Sequence, residues 1–254
     1  MNSVQTTAST DIHARRTPAL ALWAGWISVL QGLMIFVPTF VLGAAINWPA
    51  SLDDPASTAL PRLLENEGAV RIGYLSYLIY SILFAVTIAL LVRYANGKVL
   101  GVLGAIIIGF AAASALARSI GIVRWLAPMP ELAQMWESAS TEDQRASIAV
   151  LYETLNSYGG TIGEILGVSM FAALAIGALS IGALKTRAFP AWIGVFGLIA
   201  AIAVLGTAVE LMGVDPGVYL TIGTTVVQLW FLAVGIWLLT RGRTLTTSSD
   251  SKGT

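Results

Sequence analysis

Residues 152–184 read YETLNSYGGTIGEILGVSMFAALAIGALSIGAL, and the second half of this stretch decides the fold. From Val168 to Leu184 no charged residue interrupts a run of alanine, glycine, leucine and isoleucine. Counted from Ile162, the run is long enough to cross a hydrocarbon core, which takes about 20 residues of helix. It lacks the apolar–polar alternation of a barrel strand, so the span is a helix. The first half is of another kind: two glutamates, an asparagine and four glycines lie at or inside one end of the span. A helix entering a membrane with such residues has one face that does not meet lipid.

Five further stretches have the same apolar length, which places spans at about 19–43, 72–92, 99–122, 162–184, 192–212 and 219–240. Composition agrees: 56% of the 254 residues are hydrophobic and 11% charged, against about 25% charged in soluble domains. The expected fold is all-α, an integral membrane bundle of six transmembrane helices at residues 18–243. A polar tail at 1–17 precedes it and a disordered tail at 244–254 follows it. Arg15, Arg16, Arg93, Lys98, Lys185, Arg187, Arg241 and Arg243 all fall on one side of this arrangement, and most acidic residues fall on the other. By the positive-inside bias both termini are cytoplasmic. A cleaved signal peptide is the competing reading of the first run, but that run exceeds the roughly 7 to 15 apolar residues of a signal.

Two outer loops are long enough to hold short helices. Residues 47–70 are rich in proline and acid, with a helix expected after Pro61. In 127–147, Pro130 suits a first helical position, and Thr141-Glu-Asp-Gln144 fits a capping box whose helix continues into the fourth span. Pro38 falls inside the first span and should kink it.

On a helix, Glu153 and Glu164 return to within about 20° of one face, and Asn156, Gly160, Gly163 and Gly167 lie near it. Small residues let a neighbouring helix approach closely, so this stripe faces the bundle interior. The pair Gly159-Gly160 is also a place for a bend. Counting outwards at about 1.5 Å per residue, Gln31, Tyr77, Arg118, Glu164, Glu210 and Gln228 come out at roughly 20 to 31 Å along their helices. Each span thus contributes a polar group to a layer near the outer mouth, with Arg118 and Arg124 set against Glu164 and Glu210. The candidate ligand-binding residues are Arg118, Arg124, Glu153, Asn156, Glu164, Glu210, Gln31, Tyr77 and Gln228. The competing reading is structural: the arginines snorkel to headgroups, Glu210 ends its helix at water, and a buried pair only fixes helix register. Tyr74, Tyr77 and Tyr80 share a helix face, for which packing is the simpler explanation. The eight tryptophans mostly fall near span ends, as an aromatic belt requires.

Several classes of function have no residues to carry them. There is no cysteine, and the single histidine, His13, precedes the first span, so thiolate chemistry, histidine-ligated haem and the common zinc motifs are absent. No cofactor, metal site or catalytic residue is expected. Glu153 and Glu164 are separated by about 16 Å of helix rise, too far to act on one reacting centre. Lysine plus arginine equals aspartate plus glutamate at 14 each, so nothing points to nucleic acid.

At ARSIGIVRWL (Ala117–Leu126), ETLNSYGGTIGEILG (Glu153–Gly167) and PAWIG (Pro190–Gly194), the chain resembles a bacterial multispanning membrane family known only as domain of unknown function 4386. The resemblance runs from about Arg16 to Arg243. It implies a six-span protein of the bacterial cytoplasmic membrane and carries over no catalytic or ligand residue.

Two functions remain in view. One is binding or transport of a small polar or zwitterionic molecule, or a lipid headgroup, at an outward-facing Arg/Glu layer. The other is a structural or partner-binding membrane protein, for which the glycine-rich faces would suit a homodimer as well as packing within the chain. In either case the lipid bilayer is the obligatory partner.

Overall fold

Pro38 has no N–H to give to the carbonyl of Met34, and the first span breaks there: α1 (Val4–Met34) ends and α2 (Phe36–Ile46) begins one residue later. The structure, a computed structural model, describes residues 4–95, 97–214 and 217–250, with side chains for 18–95, 101–214 and 219–241. The expected polar tails fall mostly where side chains lie outside the described residues. The backbone is helical from Val4 and as far as Asp250.

After a 3₁₀ turn (Ala50–Asp53) and α3 (Ala56–Glu65), the second span is α4 (Glu67–Tyr94). The third is α5 (Gly97–Leu126), interrupted at Gly101, whose φ of 48° and ψ of −122° suit only a residue without a Cβ. α6 (Pro128–Ser138) follows in the loop. The fourth span is continuous from α7 (Glu142–Gly160) through a π-helix (Thr161–Phe171) to α8 (Ala172–Thr186). α9 (Ala191–Leu205) with a 3₁₀ end (Gly206–Met212) is the fifth, and α10 (Val218–Asp250) is the sixth. Six helices are therefore long and apolar enough to cross a membrane, and no strand occurs among the described residues.

The capping box forms as read: the Thr141 hydroxyl accepts from the Gln144 amide, and the Gln144 side chain accepts from the Thr141 amide. Two loop helices start earlier than expected. Pro128, not Pro130, opens α6, and α3 follows Pro55, leaving Pro61 inside it. Pro55 supplies the extended N-terminal turn there.

Two cores hold the bundle. At one end Phe84, Ile88, Leu179, Ile193, Phe231 and Val234 interlock, and below them Tyr94, Phe189 and Trp237 form an aromatic trio with Arg241 over Trp237. At the other end Leu60, Leu63, Met129 and Leu132 pack the loop helices onto Tyr74, Trp125 and Tyr152. Trp125 and Trp230 belong to the interior and not to an interfacial belt: Trp125 stacks on Tyr74, and the Trp230 indole donates to the Ile193 carbonyl at 3.2 Å. Phe40, Ile79, Leu116, Ile202 and Ile236 are exposed around the perimeter, as lipid-facing side chains should be.

Candidate functional site

The glycines of the fourth span have specific counterparts on α5. A Cβ on Gly121 would lie 2.8 Å from the Gly163 Cα, so the two helices touch through their main chains. Above this contact, a Cβ on Gly159 would lie 2.7 Å from Arg124 Cδ; below it, one on Gly167 would lie 2.8 Å from Arg118 Cγ. The stripe is thus a seat for two arginines. The contact is pinned by Ser114, whose hydroxyl donates to the Gly167 carbonyl at 2.7 Å. Gly159-Gly160 marks the change from α to π hydrogen bonding, a register often found at functional sites.

Arg118 and Arg124 end up in different circumstances. Arg124 donates to the Gly121 carbonyl at 2.9 Å and approaches Glu164 at 3.9 Å. Arg118 is 5% exposed, lies over the Phe84 ring at 4.4 Å, and makes no hydrogen bond or ion pair with any described residue. The expected pairing of Arg118 with Glu210 is not formed. Arg118 sits at the level of Gly167, whereas Glu210 lines a chamber with Glu153 and Gly160, farther out along the fourth span.

Two adjoining cavities meet at this constellation. The inner chamber, about 410 Å³, is mostly apolar and draws on all six spans, from Phe36, Tyr77, Arg118, Glu164 and Val204 to Gln228. Such a volume falls in the range of small-molecule sites. Trp48 packs edge-on against Tyr77 at its outer end, and the Gln228 amide donates to the Tyr80 hydroxyl at 2.6 Å on its wall. The outer chamber, about 450 Å³, is lined by Asp53, Asp54, Glu153, Glu164 and Glu210, with Arg124 as its cation. Leu52, Arg124 and Glu164 line both chambers, so the Arg124–Glu164 contact stands between them.

The acidic rim from the first outer loop was not foreseen. Asn156 donates to the Leu52 carbonyl at 2.8 Å, Tyr152 to the Asp54 carbonyl at 3.2 Å, and Arg62 to the Asp54 carboxylate at 2.6 Å. The first two bonds hold residues 52–54 over the fourth span, and the third ties Asp54 to α3. The proline- and acid-rich composition of 47–70 was the available signal; its target across the bundle was not encoded locally. A hydroxyl pair, Ser169 with Thr207, ties the π-helix to the fifth span and was likewise unforeseen.

Eight of the nine candidate residues line a chamber. Tyr77, Arg118 and Gln228 belong to the inner one, Glu153, Asn156 and Glu210 to the outer, and Arg124 and Glu164 to both. Gln31 does not: it is fully buried, with neither amide atom bonded to a described residue. Tyr77 and Tyr80 face the inner chamber while Tyr74 packs in the core, so the tyrosine row divides between the two uses. Among the described residues no three acidic or histidine side chains converge as metal ligands.

Six apolar spans around two internal chambers define a polytopic membrane protein. The family described as Domain of unknown function (DUF4386) matches residues 32–242, and the chain belongs to it. Comparison with curated proteins and with solved structures returns no match.

Proposed function

We propose that the protein binds or transports a small ligand bearing both an anionic and a cationic group, held across the two chambers. One observation carries this reading. Arg118 is a buried cation on the wall of a cavity, with no hydrogen bond or ion pair to a described residue; Glu164 lines the same chamber but pairs with Arg124. An unpaired charge in such surroundings is costly, on the order of 2.5 to 3.5 kcal/mol at a span's centre by insertion scales. A bound anion would offset that cost, and the carboxylates of the outer chamber would receive the ligand's cation. The protein is read as residing in a bacterial cytoplasmic membrane with both termini inside, because Arg93, Lys185, Arg187 and Arg241 lie at the end opposite the chambers.

The structural reading has its own support in Arg124, whose contacts to Gly121 and Glu164 join α5 to the fourth span. It accounts for that arginine and leaves Arg118 unexplained. Native mass spectrometry of detergent-purified protein, wild type beside Arg118→Gln, tests the proposal. A co-purifying mass present on the wild type and lost in the variant is expected. Bare spectra from both would favour the structural reading, and either spectrum separates a monomer from a homodimer.

A further inference from the structure

The inner chamber is not walled by protein on every side. As far as Met34, α1 lies tightly along α10: a Cβ on Gly235 would meet the Gly25 carbonyl at 2.8 Å, and one on Gly32 would meet Leu232 Cγ at 2.7 Å. Beyond the break at Ile35 the first span leaves α10 and keeps its packing on α4, where Leu42 of α2 fills the space over Gly73. The chamber occupies the parting. Phe36 and Thr39 line it on the α2 side, and Thr221, Thr225 and Leu229 line it on the α10 side.

These residues are also part of the bundle's perimeter. Phe36 is 46% and Leu229 50% exposed, Thr221 and Thr225 are exposed as well, and around them stand the exposed apolar side chains of Val37, Phe40 and Ile222. In a membrane this perimeter meets acyl chains, so the gap between α2 and α10 connects the chamber with the bilayer. Three environments therefore follow one another: a largely apolar gap, the guanidinium of Arg118 with no ion pair to a described residue, and, past the Arg124–Glu164 contact, an outer chamber rich in carboxylates. A soluble zwitterion would match only the last two and leave the gap uncovered.

We propose that the ligand is an amphiphile taken from the bilayer, with an aliphatic chain lying through the gap between α2 and α10, a phosphate on Arg118 and a primary ammonium among the outer carboxylates. This rests on the reading of the two chambers as one ligand site. A guanidinium presents a planar fork of donors matched to phosphate oxygens, and its weak hydration suits a site under apolar walls. An ammonium carries three donors and no acceptor, which suits the carboxylates of Asp53, Glu153, Glu164 and Glu210. An amphiphile with phosphate but no ammonium would bring only negative charge beneath them, so the outer chamber discriminates by repulsion as well as by attraction.

The test uses the purified full chain in a maltoside detergent and three probes: lysophosphatidylethanolamine, lysophosphatidylglycerol, and phosphoethanolamine, the headgroup without a chain. Binding is read by native mass spectrometry, and melting temperatures establish that each variant is folded. Lysophosphatidylethanolamine is expected to saturate one site about tenfold more tightly than either other probe, and Arg118→Gln to weaken it by about tenfold or more. Thr225→Trp, which sets an indole in the gap, is expected to weaken the lysolipid by a similar factor and leave phosphoethanolamine unchanged; Thr221→Phe serves if that variant does not fold. Phosphoethanolamine binding as tightly as the lysolipid, with neither gap variant having an effect, would overturn the bilayer route and leave the chambers standing as a site. Equal binding of the two lysolipids would overturn the role given to the ammonium. No binding of any probe would overturn both this inference and the reading on which it rests.

Discussion

The guanidinium of Arg118 lies 4.4 Å from the centre of the Phe84 ring, with no ion pair to any described carboxylate. Such a cation–π contact gives a desolvated cation on the order of 2 kcal/mol, which offsets much of the cost of burying it without a counterion.

It follows that Arg118→Met should cost little stability. The expected change is within about 1 kcal/mol of wild type, and toward greater stability if the desolvation cost dominates. Unfolding in mixed micelles checks this, and a loss of about 3 kcal/mol or more would mean that Arg118 holds a partner essential to the bundle.

Gly121→Ala should behave in the opposite way. Its Cβ would meet the Gly163 Cα at 2.8 Å and the Gly159 carbonyl at 2.9 Å, neither of which can swing aside. A loss of about 1 to 3 kcal/mol is expected from overpacking. Gly109→Ala on the same helix is the control, because nothing lies within 4 Å of its Cβ position and stability should hold or rise slightly. Equal effects in the same unfolding assay would contradict the main-chain contact.

Asn156→Ala removes the donor to the Leu52 carbonyl and frees the first outer loop from the fourth span. About 1 kcal/mol should be lost. Hydrogen exchange at the Leu52 and Asp54 amides, which bond within the 3₁₀ turn, should quicken while amides of α4 stay protected. Unchanged exchange would show that Tyr152 and Arg62 suffice to hold the loop.

The absence of cysteine makes the orientation directly measurable. In intact cells, a membrane-impermeant maleimide should label Ser140→Cys, exposed in the loop just before α7, and label Lys185→Cys only after permeabilisation. The reverse pattern would place the chambers on the cytoplasmic side.

Much of the architecture was legible in the residues. Apolar length located all six spans, Pro38 located the break, and Thr141 with Gln144 located the start of α7. Helical phase correctly gathered Glu153, Asn156 and Glu164 on one wall. Partner choice was not legible, since it depends on how helices are rotated against one another. Arg118 and Glu210 stand at similar distances along their own helices, yet the one lies under Gly167 and the other opens to the loops. A π-helical turn shifts every later side chain relative to an α-helix, and no composition rule announces where it begins. Trp230 illustrates a second limit: it stands in the middle of the sixth span, and nothing local shows that it faces inward, where Gly197 leaves room and the Ile193 carbonyl supplies an acceptor.

The contact of Gly121 with Gly163 has a mechanical consequence. Side-chain interfaces yield by changing rotamers, whereas two main chains in contact have nothing between them to rotate. The third and fourth spans therefore form a rigid pillar on which Arg118, Arg124 and Glu164 keep fixed spacing, like marks on a gauge. Whatever widens or narrows the interior must come from the other four spans and the first outer loop, and the spacing of these three charges is set by the pillar before any of them moves.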